Sequence, residues 1–248
     1  MIQVVDVHRS FGRQQVLKGV NLRVAQGEIL AVIGRSGSGK SVMLRLLIGL
    51  LRPNRGQVII EDTDITQLSG RRLDRIREHF GMLFQGGALF DSMTVFENVA
   101  FPLREKTKLS EAEITEQVQK MLESVGLGEM GYKFPAELSG GMKKRTALAR
   151  ALVTNPSIIL FDEPTTGLDP ILVHAIHQLI KDTHSAFGYT AVIVSHEIPE
   201  VFDIATRVAV LHEGKIIEEG TPEVILQSPN PVIQQFIAGS LEGPLQPL

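Results

Sequence analysis

The eight residues at positions 34–41 restrict what this chain can fold into more than any other stretch of its sequence. They read Gly-Arg-Ser-Gly-Ser-Gly-Lys-Ser, which matches the spacing G-x-x-x-x-G-K-[ST]. The apolar run Ile29–Ile33 precedes them, and a second apolar run at 42–51 follows. This order predicts a buried strand, a tight glycine-rich loop and a helix, and so an α/β fold with a mainly parallel core sheet.

A loop of this kind can hold phosphate groups. Its backbone N–H groups can curl around phosphate oxygens, and the N-terminus of the following helix directs partial positive charge at them. Lys40 can reach the β- and γ-phosphates, and the Ser41 hydroxyl can bind Mg²⁺. A glycine-rich turn that only caps a helix is the alternative, but it does not account for strand, pattern and helix together. We therefore expect Mg²⁺ and a nucleoside triphosphate, bound by Gly34, Arg35, Ser36, Gly37, Ser38, Gly39, Lys40, Ser41 and Val42.

Another apolar run, at 158–161, ends at two carboxylates, Asp162 and Glu163. A continuous apolar run is typical of a strand that is buried on both faces, and ligands of open α/β sheets bind at the carboxyl ends of such strands. We expect Asp162 to hold Mg²⁺, and Glu163 to orient or deprotonate the attacking water. The alternative is a pair of solvated acids in a loop.

Further motifs resemble those of the ATP-binding cassette (ABC) ATPases, and the resemblance covers nearly all of the chain. Leu138-Ser139-Gly140-Gly141-Met142 resembles the signature motif of that family. The other matches are Gln85 to the Q-loop glutamine, Thr166-Gly167-Leu168-Asp169 to the D-loop, His196 to the H-loop histidine, and Phe11 to the aromatic residue that stacks on adenine. The resemblance implies a P-loop ATPase with an antiparallel β subdomain and an inserted helical subdomain.

The family resemblance also implies how the site works. Two copies would pair head to tail around two ATP molecules, with Ser139, Gly140, Gly141 and Asp169 of one copy acting on the site of the other. Gln85 and His196 would act with Glu163 in catalysis, and Gln85 would also contact Mg²⁺. Ser139 additionally reads as the N-cap of a helix, whose free N–H groups suit an anion. The chain departs from the family at Met142, where glutamine is more frequent.

Composition and hydropathy agree with an ATPase that has no membrane span of its own. The 248 residues carry a net charge of −3 and no cysteine, and no basic stripe predicts a nucleic-acid partner. The apolar run at 42–51 is interrupted by Arg45 and is too short to cross a bilayer. The N-terminus reads as a strand rather than a signal peptide. We expect an ABC domain at 1–238 with its helical subdomain at about 86–155, a C-terminal tail at 239–248, and a cytosolic location.

Local patterns predict individual elements. Strands are expected at 4–7, 16–24, 58–60 and 190–195, a helix at 170–187, a short helix at 199–205, and a hairpin of 208–211 with 215–218. Ser110 and Glu113 form a capping box for a helix that Gly126 ends. The histidines at 174, 177 and 184 are expected on the surface, as is the basic run Lys143-Lys144-Arg145.

Segments outside the catalytic motifs carry a narrower resemblance. The sequence at 88–99, the basic run of the signature helix and Ser195-His196-Glu197-Ile198 are similar to the ATPase subunits of bacterial Mla (maintenance of lipid asymmetry) phospholipid transporters. That resemblance implies a separate permease, a periplasmic MCE-domain protein, a small STAS-domain subunit and a peripheral position on the cytoplasmic face of the inner membrane. Leu89, Phe90 and Met93 would suit a groove for a permease helix, or would pack inside the helical subdomain. An apolar face at 232–237 is expected to dock on the second copy.

Two other functions stay open at this stage. An ATPase of an amino-acid importer shares every catalytic motif, and only the segments that would face the permease argue against it. A non-transport ABC ATPase that acts on DNA or the ribosome is the other alternative. The chain has neither a second cassette nor zinc-ligand cysteines, and this argues against the non-transport ATPase.

Overall fold

A computed structural model of the protein describes residues 1–246, and the chain divides into two compact units. The first unit is Met1–Arg77 together with the chain from Val192 onward, and the second is Glu78–Ala191. Positions 247 and 248, the end of the expected tail, lie outside the described residues. None of the helices within 1–246 is both long enough and apolar enough to span a bilayer.

The first unit contains a four-stranded antiparallel sheet in the order β2 (Gln14–Val24), β1 (Ile2–Phe11), β4 (Arg55–Ile60) and β5 (Thr63–Asp64). Strand β1 pairs with β2 from Ile2↔Val24 to Phe11↔Gln14, and with β4 from Ile2↔Ile60. The antiparallel β subdomain predicted from the sequence is thereby confirmed, although its strands are longer than expected.

A second group of strands in the first unit carries the glycine-rich loop. Strand β3 (Ile29–Ile33) is buried along its whole length and pairs in parallel with β9 (Arg207–His212), which pairs antiparallel with β10 (Lys215–Gly220). Helix α1 (Lys40–Leu47) begins directly after the loop and ends before the predicted residue 51. The remaining helices of this unit are α2 (Arg71–Arg77), α7 (Pro222–Leu226) and α8 (Pro231–Ala238).

The second unit combines a parallel strand pair with four helices. Strand β6 (Phe80–Leu83) pairs with β7 (Ile158–Asp162) in the register Leu83↔Phe161, so the carboxyl ends of both strands lie side by side. The capping box of Ser110 and Glu113 is confirmed at the start of α4. The helices are α3 (Val95–Lys106), α4 (Glu111–Ser124), α5 (Gly140–Leu152) and α6 (Pro170–Phe187), with a 3-10 helix at Pro135–Glu137 before α5.

Strand β8 (Thr190–Ser195) runs across the boundary between the units, and all six of its residues are buried. Its bounds, and those of α6, agree with the sequence prediction. The expected helix at 199–205 is only a 3-10 turn at Glu200–Asp203. The α/β class is confirmed, with parallel pairs next to antiparallel ones. The separate helical subdomain at about 86–155 stays a prediction.

Candidate functional site

The glycine-rich loop is held by the residue that was expected to contact phosphate. Lys40 is 5% exposed, and its Nζ donates hydrogen bonds to the carbonyl oxygens of Gly34 (2.7 Å) and Arg35 (3.1 Å). Gly39 precedes the helix with a φ of 107°, a left-handed conformation that favours glycine. The ammonium group therefore lies inside the curve of the loop, where it can meet an anion bound by the backbone N–H groups.

His196 lies next to the start of this loop. It follows the last residue of β8, and together with Arg35 and Ser36 it lines a cavity of about 360 Å³ within the first unit. Residues of the C-terminal segment, among them Leu241 and Leu245, complete the lining. The structure thus brings two of the sequence-predicted motifs together in one unit.

Phe11, the expected adenine-stacking residue, stands at the end of β1 and is 43% exposed. The guanidinium of Arg9 lies 4.6 Å from the centroid of the Phe11 ring, and Arg9 Nη1 donates to the carbonyl oxygen of Arg52 at 2.8 Å. A cation over one face of an aromatic ring is attracted by the π-electrons of that ring. The ring is therefore held in place while a large part of it stays accessible.

In the second unit, the structure brings Gln85 and Glu163 into direct contact. Gln85 Nε2 donates a hydrogen bond to Glu163 Oε2 at 2.8 Å, and the Thr166 hydroxyl donates to the same oxygen at 3.1 Å. Asp162 is the last residue of β7 and is 8% exposed. The β6–β7 register explains the contact, because it places the residues after both strands at one edge. Thr166 is a partner of Glu163 that the motif spacing alone did not indicate.

The signature segment forms a helix start, as expected. Ser139 is the N-cap of α5, and its hydroxyl accepts a hydrogen bond from the Met142 N–H at 3.3 Å. A Cβ atom on Gly140 or Gly141 would lie 3.2 or 3.3 Å from a leucine side chain, so glycine permits close packing at both positions. Asp169, expected to act across the dimer, is the N-cap of α6 and accepts from the N–H groups of Ile171 and Leu172.

Two surface predictions were wrong in part. Lys144 is 7% exposed rather than solvated, because it lies on the face of α5 that also buries Gly141, Ala147 and Leu148. His177 is 2% exposed, since it shares the buried face of α6 with Val173 and Ile180. No cluster of three or more metal-binding side chains of the types His, Cys, Asp and Glu occurs among residues 1–246.

A comparison with protein families decides what these motifs belong to. The model described as "ABC transporter" matches residues 17–166, which include the glycine-rich loop, the signature and both carboxylates. The chain belongs to the ABC transporter family. It is an ATPase of that family, with the fold of an ABC cassette. A second model, described as "AAA domain, putative AbiEii toxin, Type IV TA system", overlaps at 131–203.

Curated relatives cover almost all of the cassette. The "Probable ribonucleotide transport ATP-binding protein mkl" of Mycobacterium leprae is 46% identical over 98% of this chain and 70% of that protein. The "Intermembrane phospholipid transport system ATP-binding protein MlaF" of Haemophilus influenzae is 43% identical over 99% of this chain and 93% of that protein. The resemblance to Mla ATPases that the sequence indicated is confirmed.

Solved ABC cassettes share the fold. The dimeric structure of a post-hydrolysis state of the ATP-binding cassette MJ0796, bound to ADP and Pi, has a TM-score of 0.81 and 34% identity, and it covers 90% of this chain and 99% of that one. The ABC-type fold predicted from the motifs is therefore confirmed.

Proposed function

We propose that this cassette hydrolyses ATP to drive phospholipid transport between two membranes, through a separate permease. The observation that carries the proposal is the 43% identity to MlaF over 99% of this chain and 93% of that protein. Such coverage includes the segments outside the ATP site, in which ATPases of different transporters are expected to differ. Transport of ribonucleotides is the second candidate, because the mkl relative is 46% identical.

Hydrolysis is assigned to the contact between Gln85, Thr166 and Glu163. The two hydrogen bonds to Glu163 Oε2, of 2.8 and 3.1 Å, orient the carboxylate that is proposed to take a proton from water. His196 is proposed to contact the γ-phosphate, and Phe11 to stack on adenine. The P-loop binds the phosphates through its backbone, with Lys40 as the cation.

Magnesium fits the donor atoms that these motifs provide. Mg²⁺ prefers oxygen ligands, and it uses one or two protein groups together with the phosphates of a nucleotide. The Ser41 hydroxyl, the Gln85 amide oxygen and the buried Asp162 carboxylate are the proposed ligands, and all three are oxygen donors. When bound, the ion would neutralise charge that develops on the phosphates.

The active form is proposed to be a dimer of this chain. The chain carries one P-loop and one signature motif, and the MJ0796 cassette was solved as a dimer. The N-cap of α5 supports this proposal, since free N–H groups at a helix start favour an anion such as the γ-phosphate of the opposite copy. Ser139, Gly140, Gly141 and Asp169 are the residues proposed to act in the partner's site.

A permease is proposed to dock on the loop that follows Gln85. Phe90 is 41% exposed there, and its ring contacts Phe101 at 4.9 Å. Leu89 and Met93 are half-buried. An MCE-domain protein and a STAS-domain subunit complete the proposed assembly, which places the cassette peripherally on the cytoplasmic face of the inner membrane.

Co-purification tests the cargo and the partners together. The chain would be tagged, expressed with its genomic neighbours and recovered in mild detergent, and the bound membrane protein and lipid would be identified. A permease with an MCE protein and phospholipid is the expected result. Recovery of a permease with a ribonucleotide-binding protein, or of a dimer with no membrane protein, would overturn the phospholipid proposal.

A variant of Phe90 tests the docking loop in the same experiment. Phe90→Ala is expected to lose the permease while ATP binding persists. Phe187→Ala is the matched control, because Phe187 is 39% exposed in the same unit but lies at the end of α6. Loss of the permease from both variants, or from neither, would contradict docking at Phe90.

A further inference from the structure

The loop after β6 has carbonyl groups that its own backbone does not satisfy. It leaves the strand at Phe84, turns through Gly87 (φ 77°) and Ala88 (φ 48°), and reaches α3 only at Val95. A left-handed conformation at a non-glycine residue such as Ala88 is strained, so surrounding contacts must maintain it. The side chains that donate hydrogen bonds to these carbonyl oxygens therefore help to determine the shape of the loop.

Two cations on the signature helix α5 supply those donors. Lys144 Nζ donates to the carbonyl oxygen of Gln85. Arg150 donates to two further carbonyls of the loop, from Nη2 to Gly87 O at 2.6 Å and from Nη1 to Ala88 O at 2.7 Å. The guanidinium group also lies 5.9 Å from the centroid of the Phe90 ring. Three backbone carbonyls of one short loop are thus bonded by one helix.

The spacing on α5 brings both cations to the loop. Lys144, Ala147 and Arg150 recur at intervals of three residues, which keeps them close together on one side of a helix. Ala147 lies between the two, and a Cβ atom on Gly87 would be 3.6 Å from the Ala147 Cβ. The small residues allow the loop backbone to approach the helix, and the long cationic side chains bond it there.

Burial of these two cations costs free energy unless hydrogen bonds offset the loss of water. Lys144 is 7% exposed, and burial lowers the pKa of the Arg150 guanidinium. Removal of a charge from water costs free energy that hydrogen bonds must offset, and apolar side chains of similar volume would pack with less cost. The presence of cations instead of apolar side chains at these two positions is explained if their hydrogen bonds hold the loop in one conformation.

We propose that Lys144 and Arg150 are positioning residues, which hold the Gln85 loop on the signature helix so that the Gln85 amide stays on Glu163. Gln85 Nε2 lies 2.8 Å from Glu163 Oε2, and the carbonyl of the same residue is the one that Lys144 bonds. A shift of the loop by 1 Å would therefore move the amide off the carboxylate. The inference deepens the proposed function and rests on it for the role of Glu163.

Steady-state kinetics of the full chain, in the complex recovered with it, provides the first test. Lys144→Met and Arg150→Gln are each expected to lower kcat about tenfold, with the KM for ATP changed by less than about twofold. Neither Lys144 nor Arg150 is among the residues assigned to ATP binding, which explains the unchanged KM. A wild-type kcat in both variants would overturn the proposal, as would a rise in KM that accounts for the loss.

Matched controls lie on the same helix. Lys143→Met removes the same charge one residue earlier, at a half-buried position. Arg145→Gln breaks a bond of similar kind, because Arg145 Nη1 donates to the carbonyl oxygen of Val125 at 2.9 Å, away from the Gln85 loop. Both controls are expected to keep kcat within about twofold. A tenfold loss in the controls as well would assign the effect to the helix and would overturn the positioning role.

A double-mutant cycle separates positioning from general stability. If Lys144 acts through Gln85, then Lys144→Met lowers kcat in the wild type and has little further effect in a Gln85→Ala background. Equal effects in both backgrounds would show that Lys144 acts elsewhere.

Hydrogen exchange tests the clamp without any activity. The Gly87 N–H donates to the Phe84 carbonyl at 2.8 Å, so the amide is expected to exchange slowly while the loop is held. Lys144→Met and Arg150→Gln should speed exchange in the peptide that covers 84–90 at least fivefold, whereas Lys143→Met should not. Unchanged exchange would overturn the clamp. If the wild-type chain did not hydrolyse ATP, that result would contradict the proposed function. The exchange rates of the peptide 84–90 would still test the clamp.

Discussion

Glu163 adopts a φ of 48°, a conformation that few non-glycine residues maintain. Strain of this kind costs on the order of 1–3 kcal/mol and persists where neighbouring contacts hold it, which is typical of active sites. Here Gln85 and Thr166 hold the carboxylate by hydrogen bonds to one oxygen. The side chain that is proposed as the base is thus oriented before a substrate arrives.

Substitution of this residue separates binding from turnover. Glu163→Gln is expected to bind ATP with wild-type affinity and to lower kcat by about 10²- to 10⁴-fold, because the amide cannot take a proton from water. Fluorescence titration with an ATP analogue and a phosphate-release assay measure the two quantities. Lys40→Ala is the contrasting variant and should lose binding itself. Wild-type turnover in Glu163→Gln would show that another group is the base.

The close approach at Gly34 gives a second prediction for a single residue. A Cβ atom there would lie 2.2 Å from the carbonyl oxygen of Leu211 and 2.9 Å from Ser38 Oγ, so the backbone has to move. Gly34→Ala is therefore expected to raise the Kd for ATP more than about tenfold, since the loop must open by roughly 1 Å. Isothermal titration calorimetry measures the change.

Gly27→Ala is the control for backbone strain without a clash. Gly27 has a φ of 71°, and a Cβ atom there would meet nothing within 4 Å. This variant should cost about 1 kcal/mol of stability and leave the Kd for ATP within about twofold. Equal losses of affinity in both variants would show that the Leu211 contact is not what restricts position 34.

At the scale of elements, Asn98 joins helix α3 to the loop before it. Asn98 is fully buried, its Oδ1 accepts from the Phe90 N–H at 2.8 Å, and its Nδ2 donates to the carbonyls of Phe90, Met93 and Thr94. One side-chain amide thereby contacts four backbone groups, with its two N–H groups shared among three carbonyls. The backbone of the exposed Phe90 is held by two of these bonds, which fix the position of the ring that is proposed to meet the permease.

Loss of this amide should destabilise the second unit strongly. Asn98→Ala leaves the Phe90 N–H without its acceptor and the Met93 carbonyl without its side-chain donor, and we expect the free energy of unfolding to fall by about 2–4 kcal/mol. Ser110→Ala removes an exposed cap of α4 and should cost only about 1 kcal/mol. Urea denaturation followed by circular dichroism ranks the two. A smaller loss for Asn98→Ala than for Ser110→Ala would contradict the bridging role.

Local patterns predicted most elements and most candidate residues, because helix caps, apolar strands and glycine spacings are encoded over a few neighbouring positions. The start of α5 at Ser139 and the bounds of α6 are examples. Contacts between distant segments were harder to predict. The bond from Lys144 to the carbonyl of Gln85 joins residues 59 positions apart. The one available signal was the position of Lys144 on the apolar stripe of its helix, which a run of three cations obscured.

Docking of the apolar face at 232–237 on a second copy stays a prediction, and the structure shows that only part of this face is available for it. Ile233 is fully buried and Gln235 is 6% exposed, so part of this face packs within the first unit. The Gln235 amide also bonds to the backbone of Ser240 and Leu245, which folds the described part of the tail back along α8. Sequence periodicity identifies an apolar face of a helix but not the surface that covers it.

At the scale of the whole molecule, assembly is expected to depend on nucleotide. Since each chain carries one P-loop and one signature motif, ATP should act as part of the interface between two copies. Glu163→Gln with ATP should therefore double in mass by light scattering, whereas the same protein without nucleotide should not. Ser139→Ala should weaken the dimer, because it removes the proposed contact to the γ-phosphate. A dimer of equal strength without ATP would contradict the nucleotide-dependent interface.

The pairing of β3 with β9 has a consequence for the nascent chain. Leu30 aligns with Arg207, 177 positions later, and the ribosome adds roughly 5–20 residues per second. The five apolar residues of β3 therefore wait roughly 10–35 s for this partner, while the continuous segment Glu78–Ala191 is already complete. The order of translation thus favours folding of the second unit first. Until its strand partners emerge, β3 is an unpaired apolar strand that chaperones or aggregation partners can reach.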